Sequence, residues 1–222
     1  EFKYLIVDLG LKEAELKDLV QIGDLVSFQQ PPLMMGDNLI AGPALDNRAS
    51  VAAITIMLTS LQTRDPAWDV WVVATSQEEE NMSGALTSAY TLRPDLAVAV
   101  DVTFASAPGT PDHKSYPMGE GIPLGWGPSV HPGLYRAFKK AAEEEDISVN
   151  REPLPMRSGT DADVLQISAA GVPTMVLSIP LRYMHTPVEI VHKEDIRAVA
   201  KLSQALIDRL DANFLSTLEW EE

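Results

Sequence analysis

The sequence predicts an α/β domain: a mixed, mostly parallel sheet with helices on both faces, preceded by a small β-rich piece. Three observations carry this. From Gly42-Pro43 onward, short apolar runs alternate with longer patterns of helical spacing. Those runs are apolar on both faces of a strand, which suits a sheet covered on both sides. Hydrophobic residues are 45% and charged residues 22% of the 222-residue chain, the composition of a globular domain with a sizeable core.

Element by element, Phe2 to Asp8 reads as a strand and Lys12 to Val20 as an amphipathic helix. Leu25-Val26-Ser27-Phe28 reads as a strand ended by Gln29-Gln30-Pro31-Pro32. Ser50 to Leu61 is apolar at helical spacing, and Trp68 to Thr75 is β-branched and strand-like. Gly84 to Leu92 suits a helix, and Leu96 to Val102 suits a strand that is apolar apart from Asp101. Pro132 to Glu145 is helical, with its proline at the first turn. Ala162 to Ala169 is a helix, Val172 to Ile179 a strand, and Ile196 to Leu210 a closing helix.

Charge and composition exclude several functions. Asp and Glu number 32 against 17 Lys and Arg, a formal net charge of −15, which repels nucleic-acid phosphates and anionic membranes alike. The chain has no cysteine, and therefore no disulfides, thiolate zinc sites or cysteine nucleophile. Val51 to Leu58, the best apolar run, is far too short to span a bilayer. The opening Glu1-Phe2-Lys3-Tyr4 has no signal-peptide layout, and a cytoplasmic location is expected. No G-x-S-x-G elbow, P-loop or dinucleotide fingerprint is present.

Ligand sites in α/β sheets gather where strands end, and polar residues at four such places stand out. Asp46-Asn47 precedes the Ser50 helix and, alone, would read as a helix N-cap. Glu78-Glu79-Glu80 follows the Trp68–Thr75 run, and adjacent carboxylates repel unless they share a cation or a proton. Asp101 lies within an apolar strand, where a carboxylate needs a partner to stay charged. His185 follows the Val172–Ile179 strand; a lone histidine is more often structural. Three acids and an imidazole at such places form a ligand set for zinc, cobalt or manganese.

Ala44-Leu45-Asp46-Asn47-Arg48, Gln77-Glu78-Glu79, Val100-Asp101-Val102-Thr103, Gly159-Thr160-Asp161-Ala162 and Arg182 through Glu189 resemble, in order, the signatures of the M42 metallo-aminopeptidases. That family includes glutamyl and tetrahedral aminopeptidase-like proteins. The resemblance implies a phosphorylase/hydrolase-like domain at residues 43–222. Residues 1–42 would be the C-terminal part, a remnant, of a small β domain inserted near its start. It further implies two divalent metal ions in the intact site, with Asp46 bridging them, Glu79 and His185 completing one shell, and Asp101 in the other. Glu78 would be the general base, taking the proton of a metal-activated water during peptide hydrolysis. Arg182 and the Gly159-Thr160 turn would help to position substrate. Peptide substrates and a homo-oligomer, dimers assembling to a dodecamer, are expected on the same ground.

One family feature is missing. The resemblance calls for a further histidine from an H-x-D motif, and His113, His131 and His192 do not lie in one. The expectation is a chain that lacks this N-terminal segment and holds one metal at the Glu79/His185 position, or none, with His113 the sole candidate to replace the missing ligand. Two rival functions stand beside the aminopeptidase: a related metal-dependent deacylase or carboxypeptidase, and a non-catalytic member that only folds and oligomerises. A glycosidase is least favoured: it needs paired carboxylates with one acid of raised pKa, whereas a histidine and three acids around metals suit amide hydrolysis better.

Overall fold

A computed structural model describes residues 4–218. The described residues form two compact units, divided between Gln30 and Pro31.

In the first unit the side chains are exposed, with only Leu16 half-buried. The sequence predicts a helix over Lys12 to Val20, but α1 spans only Glu13–Leu16. A single turn with no buried residue has no packing to extend it. Neither Leu25–Phe28 nor the described part of Phe2–Asp8 joins a ladder; Phe2 and Lys3 lie outside the described residues. A strand-like pattern is realised only where another strand supplies hydrogen bonds.

The second unit is built on a seven-stranded sheet. The strands are β1 (Leu33–Met35), β2 (Leu39–Gly42), β3 (Ala97–Phe104), β4 (Ile122–Trp126), β5 (Val149–Pro153), β6 (Thr174–Arg182) and β7 (Glu189–His192). Their order is β1-β2-β7-β6-β4-β5, with β3 along the other edge of β6. β6 is the axis of the fold, buried from Thr174 to Leu181. On one side it pairs in parallel with all of β3, from Ala97↔Thr174 to Phe104↔Leu181. On the other it meets β4 at Leu124↔Leu177 and then β7 at Leu181↔Val191.

The expected predominance of parallel pairing is not found. β3–β6 and β4–β5 are parallel, whereas β1–β2, β2–β7, β4–β6 and β6–β7 are antiparallel. The reason is local. Leu33–Met35 with Leu39–Gly42, and Thr174–Arg182 with Glu189–His192, are strands joined by short turns, and a short turn can join only antiparallel neighbours. The strands of three to five residues at β1, β2, β4, β5 and β7 are too brief for the apolar pattern to reveal. Residues 68–75, read as a strand, join no ladder; Trp68 instead donates from Nε1 to the Asp211 carbonyl at 2.9 Å and meets Phe214 edge-on.

The helices are α2 (Leu45–Leu61), α3 (Glu78–Asn81), α4 (Ser83–Leu92), α5 (Pro132–Glu144), α6 (Ala162–Leu165) and α7 (Lys193–Ile207). α2 and α5 pack on α7, and all three touch the sheet; α4 packs on α6, which lies on β3 and β6. Ile122, Leu124, Phe138, Met175, Leu177 and Leu202 are fully enclosed between these layers. Two of the histidines serve helix ends: His131 Nδ1 accepts from Gly133 N at the start of α5, and His192 Nδ1 accepts from Glu194 N at the start of α7. Among the described residues no helix is long and apolar enough to cross a membrane.

Candidate metal centre

Asp46 sits just after β2, where the chain turns into α2. Ala44 adopts a left-handed φ of 52° and is itself the helix cap. The chain kinks at Asp46 and Asn47, which both have non-helical backbone angles before the regular part of α2. Asn47 Nδ2 donates to Asp101 Oδ1 at 2.7 Å and to the Val100 carbonyl at 3.3 Å, tying the α2 entry to β3.

Glu78 and Glu79 open α3, which is bracketed by left-handed residues at Gln77 and Met82. Gly84 secures this turn. Its amide donates to the Ser76 carbonyl at 3.1 Å, and a Cβ at position 84 would overlap the Ser76 backbone. His185 lies in the turn between β6 and β7, also at a left-handed φ, 61°. Such backbone is uncommon for residues other than glycine and here aims side chains rather than extending an element.

The result is a convergence. One ligand-capable atom from each of Asp46, Glu79 and His185 lies within 4.8 Å of the others, the one group of this kind among the described residues. His185 Nε2 is 3.3 Å from Asp46 Oδ2 and 3.4 Å from Glu79 Oε2. Asp46 is nearly enclosed, whereas Glu79 and His185 face solvent. Asp101 is outside this trio. It is buried in β3, and its Oδ1 accepts from Asn47 Nδ2 and from the Val102 amide at 2.8 Å. His113 lies on an exposed turn and does not join the group.

The acids around the trio hold their protons unusually well. Burial and the neighbouring Glu79 and Glu189 push Asp46 up to about 6. Glu78 is pushed up to about 7 by burial, then by Glu79, Asp161 and Asp46. Asp101 reaches about 8, chiefly through burial, with the Val102 amide opposing and Glu78, Asp46 and Asp161 adding to it. These acids crowd one another with little cationic compensation, the electrostatic setting that a divalent ion relieves.

Asp161 faces the same acids. It stands at the N-cap of α6 but makes no cap bond; its Oδ2 accepts from Thr75 Oγ1 at 2.6 Å. Arg182, expected to position substrate, turns its Nε onto the Ser106 carbonyl at 2.7 Å. Glu189 was missed in reading the residues one at a time. It is buried, and it accepts the Asp46 amide at Oε2 and the His185 amide at Oε1, each at 3.0 Å. Its signals in the sequence are its place four residues after His185 and its position at the end of the Arg182–Glu189 segment.

An α/β sheet with carboxylates and an imidazole drawn together beside its central strands defines a hydrolase-type fold with a candidate divalent-cation site. The chain belongs to the M42 glutamyl aminopeptidase family, whose family model matches residues 1–202. A lysyl aminopeptidase of Pyrococcus furiosus is 33% identical over 208 residues, covering 93% of this chain and 60% of that protein. A glutamyl aminopeptidase of Lactococcus lactis is 26% identical, covering 89% of this chain and 56% of its own length. Among solved structures, an aminopeptidase from the archaeon Desulfurococcus kamchatkensis superposes with a TM-score of 0.84 at 30% identity, over 93% of this chain and 59% of the other. The Pyrococcus horikoshii TET1 peptidase, which can assemble into a tetrahedron or a large octahedral shell, gives a TM-score of 0.75 at 26% identity, over 89% and 58%. The chain thus spans about 60% of the length of the curated relatives it matches.

Proposed function

We propose that this chain carries the catalytic centre of a metal-dependent aminopeptidase, a hydrolase that removes N-terminal residues from peptides. The observation that carries the proposal is the convergence of Asp46, Glu79 and His185 beside Glu78, in a chain of the M42 family. In this reading residues 43–222 form the catalytic domain, whose sheet also takes in β1 and β2, and residues 1–42 continue from an inserted β domain.

The donor set fits a divalent ion of the zinc or cobalt kind: one imidazole and two carboxylates with ligand atoms within 4.8 Å of one another, amid acids whose pKa values burial and mutual repulsion raise. Asp46, Glu79 and His185 would hold it. Asp101, whose Oδ1 accepts from both Asn47 Nδ2 and the Val102 amide, would offer its other oxygen to a second ion shared with Asp46. When bound, the metal lowers the pKa of water and polarises the scissile carbonyl.

The remaining steps belong to the chain. Glu78 accepts the proton of the attacking water and returns it to the leaving amine. In the metal-free chain burial and the neighbouring acids raise Glu78, and a carboxylate of raised basicity accepts a proton more readily. Asp161, held by Thr75, keeps negative charge close to Glu78 and so sustains its basicity. Asn47 fixes the orientation of Asp101. We further propose that this chain by itself binds one ion, at Asp46/Glu79/His185, and that the assembled enzyme is a homo-oligomer, as the TET1 relative's assembly supports, located in the cytoplasm.

The test is elemental analysis of the purified chain, with hydrolysis of aminoacyl-anilides measured with and without added cobalt or zinc. One tightly held ion and metal-stimulated release of the anilide are expected. Hydrolysis of N-acyl amino acids in place of anilides would move the assignment to a deacylase.

A further inference from the structure

Glu189 has no place in the reaction above, yet its geometry is specific to the two ligands that come from opposite ends of the chain. It opens β7 and pairs with Gly42 of β2. Asp46 follows Gly42 by four residues, and His185 precedes Glu189 by four. The β2–β7 ladder thus sets the roots of two loops, and the Glu189 carboxylate spans their tips. Oε2 takes the backbone amide of Asp46, and Oε1 takes that of His185, both at 3.0 Å. Its side chain is buried, with the residue only 2% exposed.

Neither loop has regular structure of its own to hold it. Ala44, Tyr183 and His185 all have positive φ, and Asp46 and Asn47 depart from helical angles inside α2. Backbone amides bonded to a buried, fixed carboxyl oxygen are held in one geometry, which water does not do. One carboxylate serving two amides, moreover, couples the loops to each other rather than each to the sheet.

We infer that Glu189 is a positioning residue for the metal centre, setting the separation of the Asp46 and His185 side chains through their backbone amides. This rests on the reading of Asp46 and His185 as metal ligands. Glu189 is not one of the three converging side chains, and both its oxygens are taken by backbone amides. Its effect is on how much rearrangement the ligands undergo when an ion arrives, and therefore on affinity. Groups that orient metal ligands in this way typically alter affinity by roughly 10- to 100-fold when removed.

Calorimetric titration of Zn²⁺, and separately Co²⁺, into the metal-free 222-residue chain tests it. Glu189→Gln retains the shape but presents an NH₂ group to one of the two amides, and affinity should fall by about 10- to 100-fold. Glu189→Asp retains both carboxyl oxygens on a shorter arm that reaches one amide at a time, so its loss should be smaller. Glu152→Gln, altering a buried carboxyl on β5 outside the centre, should leave affinity unchanged. The visible spectrum of the Co²⁺ form should shift in both Glu189 variants and not in the Glu152 variant. Affinity within about threefold of the unaltered chain in a folded Glu189→Gln protein, well short of that expected range, overturns the inference. So does failure of both Glu189 variants to fold, which would make the residue a requirement of the fold and not of the centre. If the unaltered chain takes up no ion, the metal-site reading falls, and the inference with it; an unaltered chain that binds beside an equally tight Glu189→Gln removes the inference alone.

Discussion

Two groups of carboxylates in this protein behave in opposite ways. Around Asp163, the chain gathers donors: Ser129 Oγ at 2.7 Å, Ser158 N and Oγ at 2.8 Å each, and Gly159 N at 3.1 Å. Burial alone would raise the Asp163 carboxyl, but these donors together hold it below its ordinary range. Around Asp46, the chain gathers acids. Asp46, Glu78 and Asp101 stand near 6, 7 and 8, all raised first by burial and then by one another or by Asp161, Glu79 and Glu189. A carboxylate with its compensation built in is a structural knot. A set of carboxylates crowded together without it is a place for a cation.

The sharpest way to break this contrast is within the acid group itself. Glu78→Gln should reduce peptide hydrolysis of the metal-loaded, assembled enzyme by about 10²- to 10⁴-fold, because an amide cannot take the water's proton. Calorimetry should find its metal binding nearly intact. Glu79→Gln should do the reverse first, weakening metal binding. If Glu78→Gln kept most of the activity, the general base would have to be sought elsewhere.

Metal removal tests the same group as a whole. In the metal-free chain the folded protein holds protons on Asp46, Glu78 and Asp101 that the unfolded chain releases near pH 4. Stability should therefore fall as pH rises from about 4 toward 8, the window between the ordinary carboxylate values and about 6, 7 and 8. A bound ion needs the carboxylates ionised, so its stabilising effect should grow across that window. At pH 7.5 and about a hundredfold excess over Kd, the melting temperature should rise by roughly 5–10 °C, and by much less at pH 5. A rise of the same size at both pH values would disconnect the acids from the metal.

The Asp163 knot predicts the opposite sign. Asp163→Ala strands its donors and should cost about 2–3 kcal/mol in denaturant unfolding, with no change in metal affinity. Its contribution should be full above the ordinary carboxylate range and lost as pH falls through its depressed value. Glu152 provides the smallest effect. It accepts from Thr103 Oγ1 and Ser178 Oγ at 2.5 Å each, yet burial still raises it. Its carboxyl therefore costs stability as pH rises, and Glu152→Gln should flatten that slope while changing stability near pH 4 by about 1 kcal/mol or less.

Much of the candidate centre could be read from the residues, because its members sit where the hydrophobic pattern is interrupted. Asp101 breaks an apolar strand, Glu78-Glu79 crowds like charges, and His185 follows the strand that becomes the axis of the sheet. Asn47, Asp163 and Glu189 could not be assigned that way. Their partners lie on other elements or are backbone amides, and a residue type does not disclose which amide it will meet.

By itself, the sequence determined the α/β class, the two long helices α2 and α7, the buried strands β3 and β6, and the short roster of acids and one imidazole. Periodicity and composition suffice for these, since each rests on which side chains leave water. Only the tertiary structure decided that the sheet is mostly antiparallel, that residues 68–75 join no ladder, and that Asp101 stands apart from the Asp46–Glu79–His185 trio. Strand direction, pairing and side-chain separation depend on hydrogen bonds and registers between segments far apart in the chain, and no local pattern of residues encodes those distances.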